Sequence, residues 1–429
     1  MNRREFLKIG AISVGSLALG GTGGYLLGRS ESQTPSLLES PPLVESGFEE
    51  KALRRLKSRF LSLDQNLRKK EPQKIPSWAY QETGEHVSNS PNWSDALFVG
   101  GLDLFSDENP DFFNPLVKFY ADLIISDSGA YKKLLEVDKS PDVAWTSFLT
   151  LVPVFETTKD EKYKKLALKA AEFVAYSLYD EELGLFSTSE NSGQYVVNSL
   201  LTITPLLFWA EKNEEDPIKA KNYGDLARKY IYSSINNFMR PDGSVFHAIT
   251  KTKDGIIKGE TKNPTGYNDN STSTKILSTF ILGVINGYKE DLSNQYFLET
   301  ALKSFSFALK NTPKKGSVHF DMGEIPNNLK KYKDTAGQSA IAYAALCLAE
   351  LAKEDLVKTY LINYGKFLIK NIVENHMTTY GGVANAIQGY WSIRDLKDGK
   401  TNIPIQIETI NGNYWAIKAL KKSKELSEA

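Results

Sequence analysis

The sequence has one cysteine, Cys347, and four histidines in 429 residues. A lone thiol excludes an internal disulfide framework, a zinc finger and a cysteine-ligated iron–sulfur cluster. His86, His247, His319 and His376 form no HExxH pair. Net charge is missing as well. The 52 Lys+Arg balance the 52 Asp+Glu, so no global field favours nucleic acid. A weakly apolar stretch near the N-terminus is rich in glycine, unlike an ordinary transmembrane helix. No segment repeats at sequence level, which argues against a regular solenoid. Core-forming residues are abundant: 41% hydrophobic and 11% aromatic, too much for a disordered or low-complexity chain.

The first residues carry a short motif. Asn2-Arg3-Arg4-Glu5-Phe6-Leu7-Lys8 resembles a twin-arginine export signal: paired arginines, one variable residue, then Phe-Leu-Lys. A weakly apolar stretch runs from Ala11 to Gly28. It has no clear Ala-x-Ala cleavage site and no cysteine for a lipid anchor. The expectation is an extracytoplasmic protein exported through the twin-arginine translocase. Residues 1–28 are then a cleaved signal or an uncleaved membrane tether. Residues 29–46 are rich in Ser, Pro and Glu and read as a flexible linker. The folded domain is expected over 47–429, and a domain without disulfides suits a route that moves folded cargo.

Beyond residue 47 the apolar residues recur at three- and four-residue steps. Polar-faced helices are expected at 49–70, 111–126, 160–179, 217–239, 293–311 and 354–374. In 160–179, Tyr163, Leu166, Ala170, Phe173 and Val174 share one face, with lysines opposite. More apolar helices are expected between them, at 93–105, 142–156, 195–211, 270–289, 334–352 and 405–422. The stretch 334–352 is apolar almost all round, as in a helix enclosed by neighbours. A polar-faced helix alternating with a buried one, six times over, predicts an all-α fold, an (α/α)6 toroid with its pocket at one end of the inner ring. One β-hairpin is expected, Ser244–Ile249 against Gly255–Lys258 across an Asp-Gly turn, near the pocket mouth.

The segment around that hairpin carries a family resemblance. Met239-Arg240-Pro241-Asp242-Gly243-Ser244-Val245-Phe246-His247 precedes it, and Gly266-Tyr267-Asn268-Asp269-Asn270-Ser271 follows. Asn92-Trp93-Ser94, Pro141-Asp142-Val143-Ala144-Trp145 and Thr204-Pro205-Leu206-Leu207-Phe208-Trp209-Ala210 fall in matching order. So do Val318-His319-Phe320-Asp321, Asp334-Thr335-Ala336-Gly337-Gln338-Ser339-Ala340 and Gly412-Asn413-Tyr414-Trp415. Together these motifs, over residues 90–420, resemble the unsaturated glucuronyl hydrolases, glycoside hydrolases of the six-hairpin type. The resemblance implies the same toroid. It also implies hydration of the vinyl-ether double bond of a 4,5-unsaturated uronic acid, after which the hemiketal collapses and releases the next sugar. No cofactor and no metal is implied; the partner is an oligo- or polysaccharide.

Departures fall on the chemistry. Where the family has Ile-Ile-Asp before Pro-Leu-Leu, this chain has Val196-Val197-Asn198, and an amide cannot donate a proton as a carboxylic acid does. Trp-x-Arg-Gly-Gln-Ala-Trp becomes Ser273-Thr274-Lys275-Ile276-Leu277-Ser278-Thr279. Lys275 keeps the positive charge and loses the planar fork of arginine. The catalytic candidates are Asp142, as acid or base, and Asn198, positioning water or a hydroxyl. Binding candidates are Trp93, Trp145, His247, Tyr267, Asp269, Lys275, His319, Asp334 and Trp415. Each has a plainer role: Asp142, Asp269 and Asp334 could be helix N-caps, His247 a hairpin residue and the aromatics core. Two rival readings stay open, a toroid that only binds glycans and a uronyl epimerase or lyase on the same fold.

Overall fold

The structure, a computed structural model, describes residues 47–70, 75–76, 79–80, 94–126, 128–190, 192–252, 255–258, 271–323, 327, 330, 332–384 and 408–428. The signal stretch 1–28, the linker 29–46, Trp93, Tyr267 and Asp269 lie outside the described residues. Among the described residues no helix is long and apolar enough to cross a membrane.

Helices dominate, and they alternate as the hydrophobic pattern demands. The polar-faced set is α1 (Phe48–Lys70), α3 (Pro110–Ile124), α5 (Glu161–Phe173, continued by a π-turn over Val174–Leu178), α7 (Pro217–Phe238), α9 (Gln295–Asn311) and α11 (Asp355–Asn375). The apolar set is α2 (Ser94–Asp103), α4 (Asp142–Thr146 and Val152–Thr158, joined by a π-turn over Ser147–Leu151), α6 (Ser199–Asn213), α8 (Thr274–Glu290), α10 (Thr335–Leu351) and α12 (Ile410–Glu428). Contacts run α2–α4–α6–α8–α10–α12 and back to α2, so the apolar helices close into a ring. Each polar-faced helix packs outside it. This is the (α/α)6 toroid.

Local chemistry explains the two classes. In α10, TAGQSAIAYAALCLAEL, small alanines let neighbours approach on all sides, and nearly every side chain is buried. By contrast, α5 buries Tyr163, Ala167, Ala170 and Ala171 on one face. Asp160 and Asp216 cap α5 and α7 by accepting backbone N–H groups of the first turn. The π-turn in α4 lies directly before Pro153, which has no N–H to give the preceding turn.

The ring is closed by its ends. Strand β1 (Ala79–Tyr80) pairs antiparallel with β7 (Glu408–Thr409). Arg59 on α1 forms a buried ion pair with Glu408 at 2.9 Å, and Asn413 Nδ2 also donates to Glu408. A buried pair of this kind fixes register more than it adds stability.

The strands differ from expectation. The hairpin is β5 (Ala248–Thr252) with β6 (Gly255–Lys258), later in the chain than its sequence pattern suggests; Val245 makes only an isolated bridge to Met239. A third strand, β4 (Gln194–Val196), adds to β5. The inner helix expected from 195 therefore begins at Ser199, because Tyr195, Val196 and Val197 are β-prone residues that found a strand edge to join. A shorter hairpin, β2 (Tyr179–Asp180) with β3 (Leu185–Phe186), follows α5.

Candidate active site

Alternation with antiparallel outer helices points all the inner helices the same way. Their N-termini gather at one end of the barrel, and the residues there are polar. Ser94 and Asp95 open α2, Asp142 opens α4, Asn198 precedes α6, Lys275 stands in the first turn of α8, Asp334 precedes α10, and Asn411 and Asn413 lie in the first turn of α12. Helix N-termini carry positive partial charge, so carboxyls and carbonyl oxygens suit this end.

Asp142, Lys275 and Asp334 form its electrostatic centre. Asp142 is the first residue of α4 and does not cap it: the cap position is Pro141, with no side-chain bond. Asp142 is crowded by protein on most sides, yet the residue keeps partial solvent access. Burial pushes it up to about 6, with the Ser140 hydroxyl and the Lys275 charge pulling partly back. Asp334 is 2% exposed and does cap its helix, accepting the Gly337 N–H at 2.9 Å. Burial likewise pushes it up to about 6, against the backbone donors Gly337, Lys275 and Ala336 and the Lys275 charge. Burial lowers Lys275, and the charges of Asp334 and Asp142 oppose that shift.

Glycine is required where α8 and α10 meet. A Cβ on Gly337 would lie 2.6 Å from Asp334 Oδ2 and 2.8 Å from the backbone nitrogen of Lys275. Any side chain there would push the cation-bearing turn away from the carboxyl that faces it.

Asn198 stands beside this group at the neighbouring helix start, in the turn between β4 and α6 rather than within a helix as expected. It occupies the cap position of α6 but makes no capping bond. Its Oδ1 is buried with no hydrogen-bond partner in the protein. Such an orphaned acceptor is costly unless water or a ligand hydroxyl donates to it. His247 is buried at the start of the three-stranded sheet, and its carbonyl accepts the Val197 N–H at 3.0 Å. This bond ties the sheet to the Asn198 turn.

The segment 318–322 stitches α8 to α10. Thr274 N–H donates to the Phe320 carbonyl, Met322 N–H to Thr272, and Asp334 N–H to Val318. Asp321 is buried and accepts the backbone N–H groups of Thr272 and Gly323, a structural role. His319 alternates to the half-exposed side, with Nδ1 3.0 Å from Lys333 Nζ. Burial and then the Lys333 charge lower His319, and burial lowers Lys333. The sequence reading missed Lys333 and Ser140. The Ser-Pro-Asp start of α4 was the available signal for Ser140; Lys333 had none.

Trp145 and Trp415 are brought together deeper in the barrel. Their rings stack with centroids 6.5 Å apart, and Tyr414 meets Trp145 edge-on at 6.4 Å. They are 6% and 5% exposed, so these indole faces pack mainly on each other and on Tyr414 and Tyr343.

With this geometry in hand, the chain can be compared with known proteins. No family model matches. An unsaturated glucuronyl hydrolase of Formosa agariphila is 23% identical over 357 residues, covering 80% of this chain and 82% of that protein. An unsaturated chondroitin disaccharide hydrolase of Streptococcus pneumoniae is 22% identical over 349 residues, covering 78% and 82%. Among solved structures, the unsaturated glucuronyl hydrolase of Bacillus sp. GL1 superposes with a TM-score of 0.72 at 22% identity, over 87% of this chain and 96% of that one. In sequence and fold the chain is unsaturated-glucuronyl-hydrolase-like.

Proposed function

We propose that the protein is a glycoside hydrolase that hydrates the 4,5-unsaturated uronic acid at the end of an oligosaccharide. The observation that carries this reading is Asp142. It is a carboxyl poised near 6, reachable by solvent, at the barrel end where the inner-helix N-termini meet. A general acid works best when its pKa lies near the working pH. In the proposed step the protonated Asp142 delivers its proton to C4 of the double bond. Water adds at C5, and its proton passes to the Asp142 carboxylate, restoring the acid. The hemiketal then opens and the next sugar leaves. Lys275 holds the uronate carboxylate, and the unpartnered Asn198 Oδ1 accepts from the attacking water or a sugar hydroxyl. Asp334 keeps Lys275 charged and in place.

Support also comes from the relatives, whose names describe hydrolysis of unsaturated glucuronyl and chondroitin saccharides. The amide at Asn198 favours a second reading, a toroid that binds such sugars without turning them over. We further propose export through the twin-arginine route, on the strength of Arg3-Arg4 and Phe6-Leu7-Lys8 and of a fold with no disulfide to form after crossing.

One experiment tests the enzymatic reading. The protein is incubated with lyase-generated unsaturated oligouronides, and the alkene absorbance in the ultraviolet is followed. Loss of absorbance that vanishes in Asp142→Asn is the expected result. Tight binding without loss of absorbance would favour the glycan-binding reading.

A further inference from the structure

Away from the barrel end, a groove of about 640 Å³ opens on the outer wall between the end of α5 and the flank of α7. Its two banks carry tyrosines that the fold leaves in solvent. Tyr176 is 56% exposed and Tyr232 41% exposed. Tyr296, from α9, extends the second bank and is 42% exposed; its ring lies 5.8 Å from that of Tyr232, nearly parallel at 11°.

These rings are held, not loose. Asn222 Nδ2 donates to the Tyr176 hydroxyl at 3.2 Å, and Asn294 Nδ2 donates to the Tyr232 hydroxyl at 2.6 Å. One rim is the β2–β3 turn. There Gly184 has φ +65°, and any Cβ would strike the Ser233 hydroxyl. The charged groups of the lining lean acidic, Glu181 and Glu182 against Lys229, with Glu182 paired to Lys251 at 2.7 Å, so the groove disfavours an anionic sugar. Fixed aromatic faces beside amide and hydroxyl groups match the apolar face and hydroxyl rim of an uncharged sugar ring. Preset rings lose little entropy on binding.

Position adds to this. Lys251 on β5 also bonds Asp180 at 3.0 Å, and Asp180 accepts the Tyr195 hydroxyl of β4 at 2.6 Å. The sheet that carries the Asn198 turn is thus tied to the rim of the groove. We propose that the tyrosine groove is a second saccharide site, which holds uncharged sugar residues of a glycan chain at a distance from the reacting end. The proposal rests on the reading of the protein as saccharide-active, and it is separable from the catalytic reading.

The test is retardation of the protein in native gels containing a soluble neutral β-glucan, a xylan or hyaluronan. The gels are repeated with Asp142→Asn and excess unsaturated disaccharide, so that the barrel end is occupied by a sugar that is not consumed. The expected result is retardation by a neutral polymer, weakened roughly five- to tenfold in Tyr176→Ala/Tyr232→Ala. That variant should keep its thermal midpoint and its activity on the disaccharide. No retardation by either neutral polymer overturns the proposal, whether or not hyaluronan retards the protein, as does undiminished retardation of the double variant. Self-association that the double variant abolishes, without glycan retardation, overturns it in favour of a protein interface. Retardation by a neutral polymer without turnover of the disaccharide would keep this site and remove the catalytic reading.

Discussion

At the N-terminal end of the inner barrel two carboxyls, Asp142 and Asp334, share the buried Lys275. At the C-terminal end three lysines, Lys418, Lys421 and Lys422, line a cleft of about 500 Å³ with Asp103, Asp107 and Glu425. Both arrangements oppose the helix dipole of their end with side-chain charge. Their cations differ in what they touch. Lys418 Nζ lies over the Tyr343 ring at 4.8 Å and near Tyr414 and Trp415, Lys421 donates to the Leu104 carbonyl, and Lys422 pairs with Glu350 and Glu425. These lysines stay committed to the protein. Lys275 is surrounded by carboxyls whose ionisation is itself opposed by burial. Asp103 is a second raised carboxyl, at the opposite end. Burial and Asp107 push it up to about 6 as well, against Ser106, Lys421 and Lys418.

The sharpest way to break this comparison is to neutralise one acid at each end. Asp142→Asn should reduce turnover of unsaturated oligouronides by about a thousandfold, the usual scale for a lost general acid. Asp103→Asn should leave it within about twofold. Equal losses in a steady-state absorbance assay would remove the distinction.

Deleting the cations should separate the ends next. Lys275→Met leaves two buried carboxyls facing each other and should cost about 3 kcal/mol in urea unfolding at pH 7, with activity lost. Lys418→Met should cost about 1 kcal/mol, the scale of a partly buried cation–π contact, and spare activity. A Lys275→Met protein as stable as the parent would show that this cation is not coupled to the acids.

The pH dependence follows from the same groups. If Asp142 acts as an acid, kcat/KM should fall as pH rises through about 6, towards tenfold per unit. Stability carries the same sign. A carboxyl raised from 3.8 to about 6 in the folded state contributes stability that is present below about 4 and lost as pH rises to about 6. Asp142→Asn should therefore flatten the change in unfolding free energy between pH 4 and 6, read from urea titrations, by about 2 kcal/mol. An unchanged slope would place the titration elsewhere.

The smallest effect is expected at Asn198. Replacing it by Asp adds a carboxyl beside three other titratable groups, and should change kcat by a few-fold and shift the pH profile upward through like-charge repulsion. A profile identical to that of the parent would show that residue 198 does not face the acids.

Much of this contrast was legible before any coordinates. Alternation of one-faced and all-round apolar helices follows from side-chain transfer energies acting at a period of 3.6, so twelve helices and their inner or outer place could be read from residue order. Asp142, Asn198, Lys275 and Asp334 each stood at the start of an expected inner helix or within its first residues, so their shared end of the barrel followed once the ring closed. The extra strand was hidden because Tyr195-Val196-Val197 fits a buried helix as well as a sheet edge, and only the neighbouring β5 decided between them.

The sequence by itself determined the alternation of polar-faced and buried helices, the ring and the set of polar residues at its N-terminal end, because these depend on local periodicity; the short helix Ala130–Lys132 was not among the expected ones. Only the tertiary structure decided which of them meet. Lys275 and Asp334 lie on different hairpins, and Gly337 is what lets their helices close to contact distance. Trp145 and Trp415 come from opposite parts of the chain and find each other across the closed ring. The pKa of Asp142 is likewise a property of the enclosure, since burial, not its neighbours in sequence, supplies most of the rise.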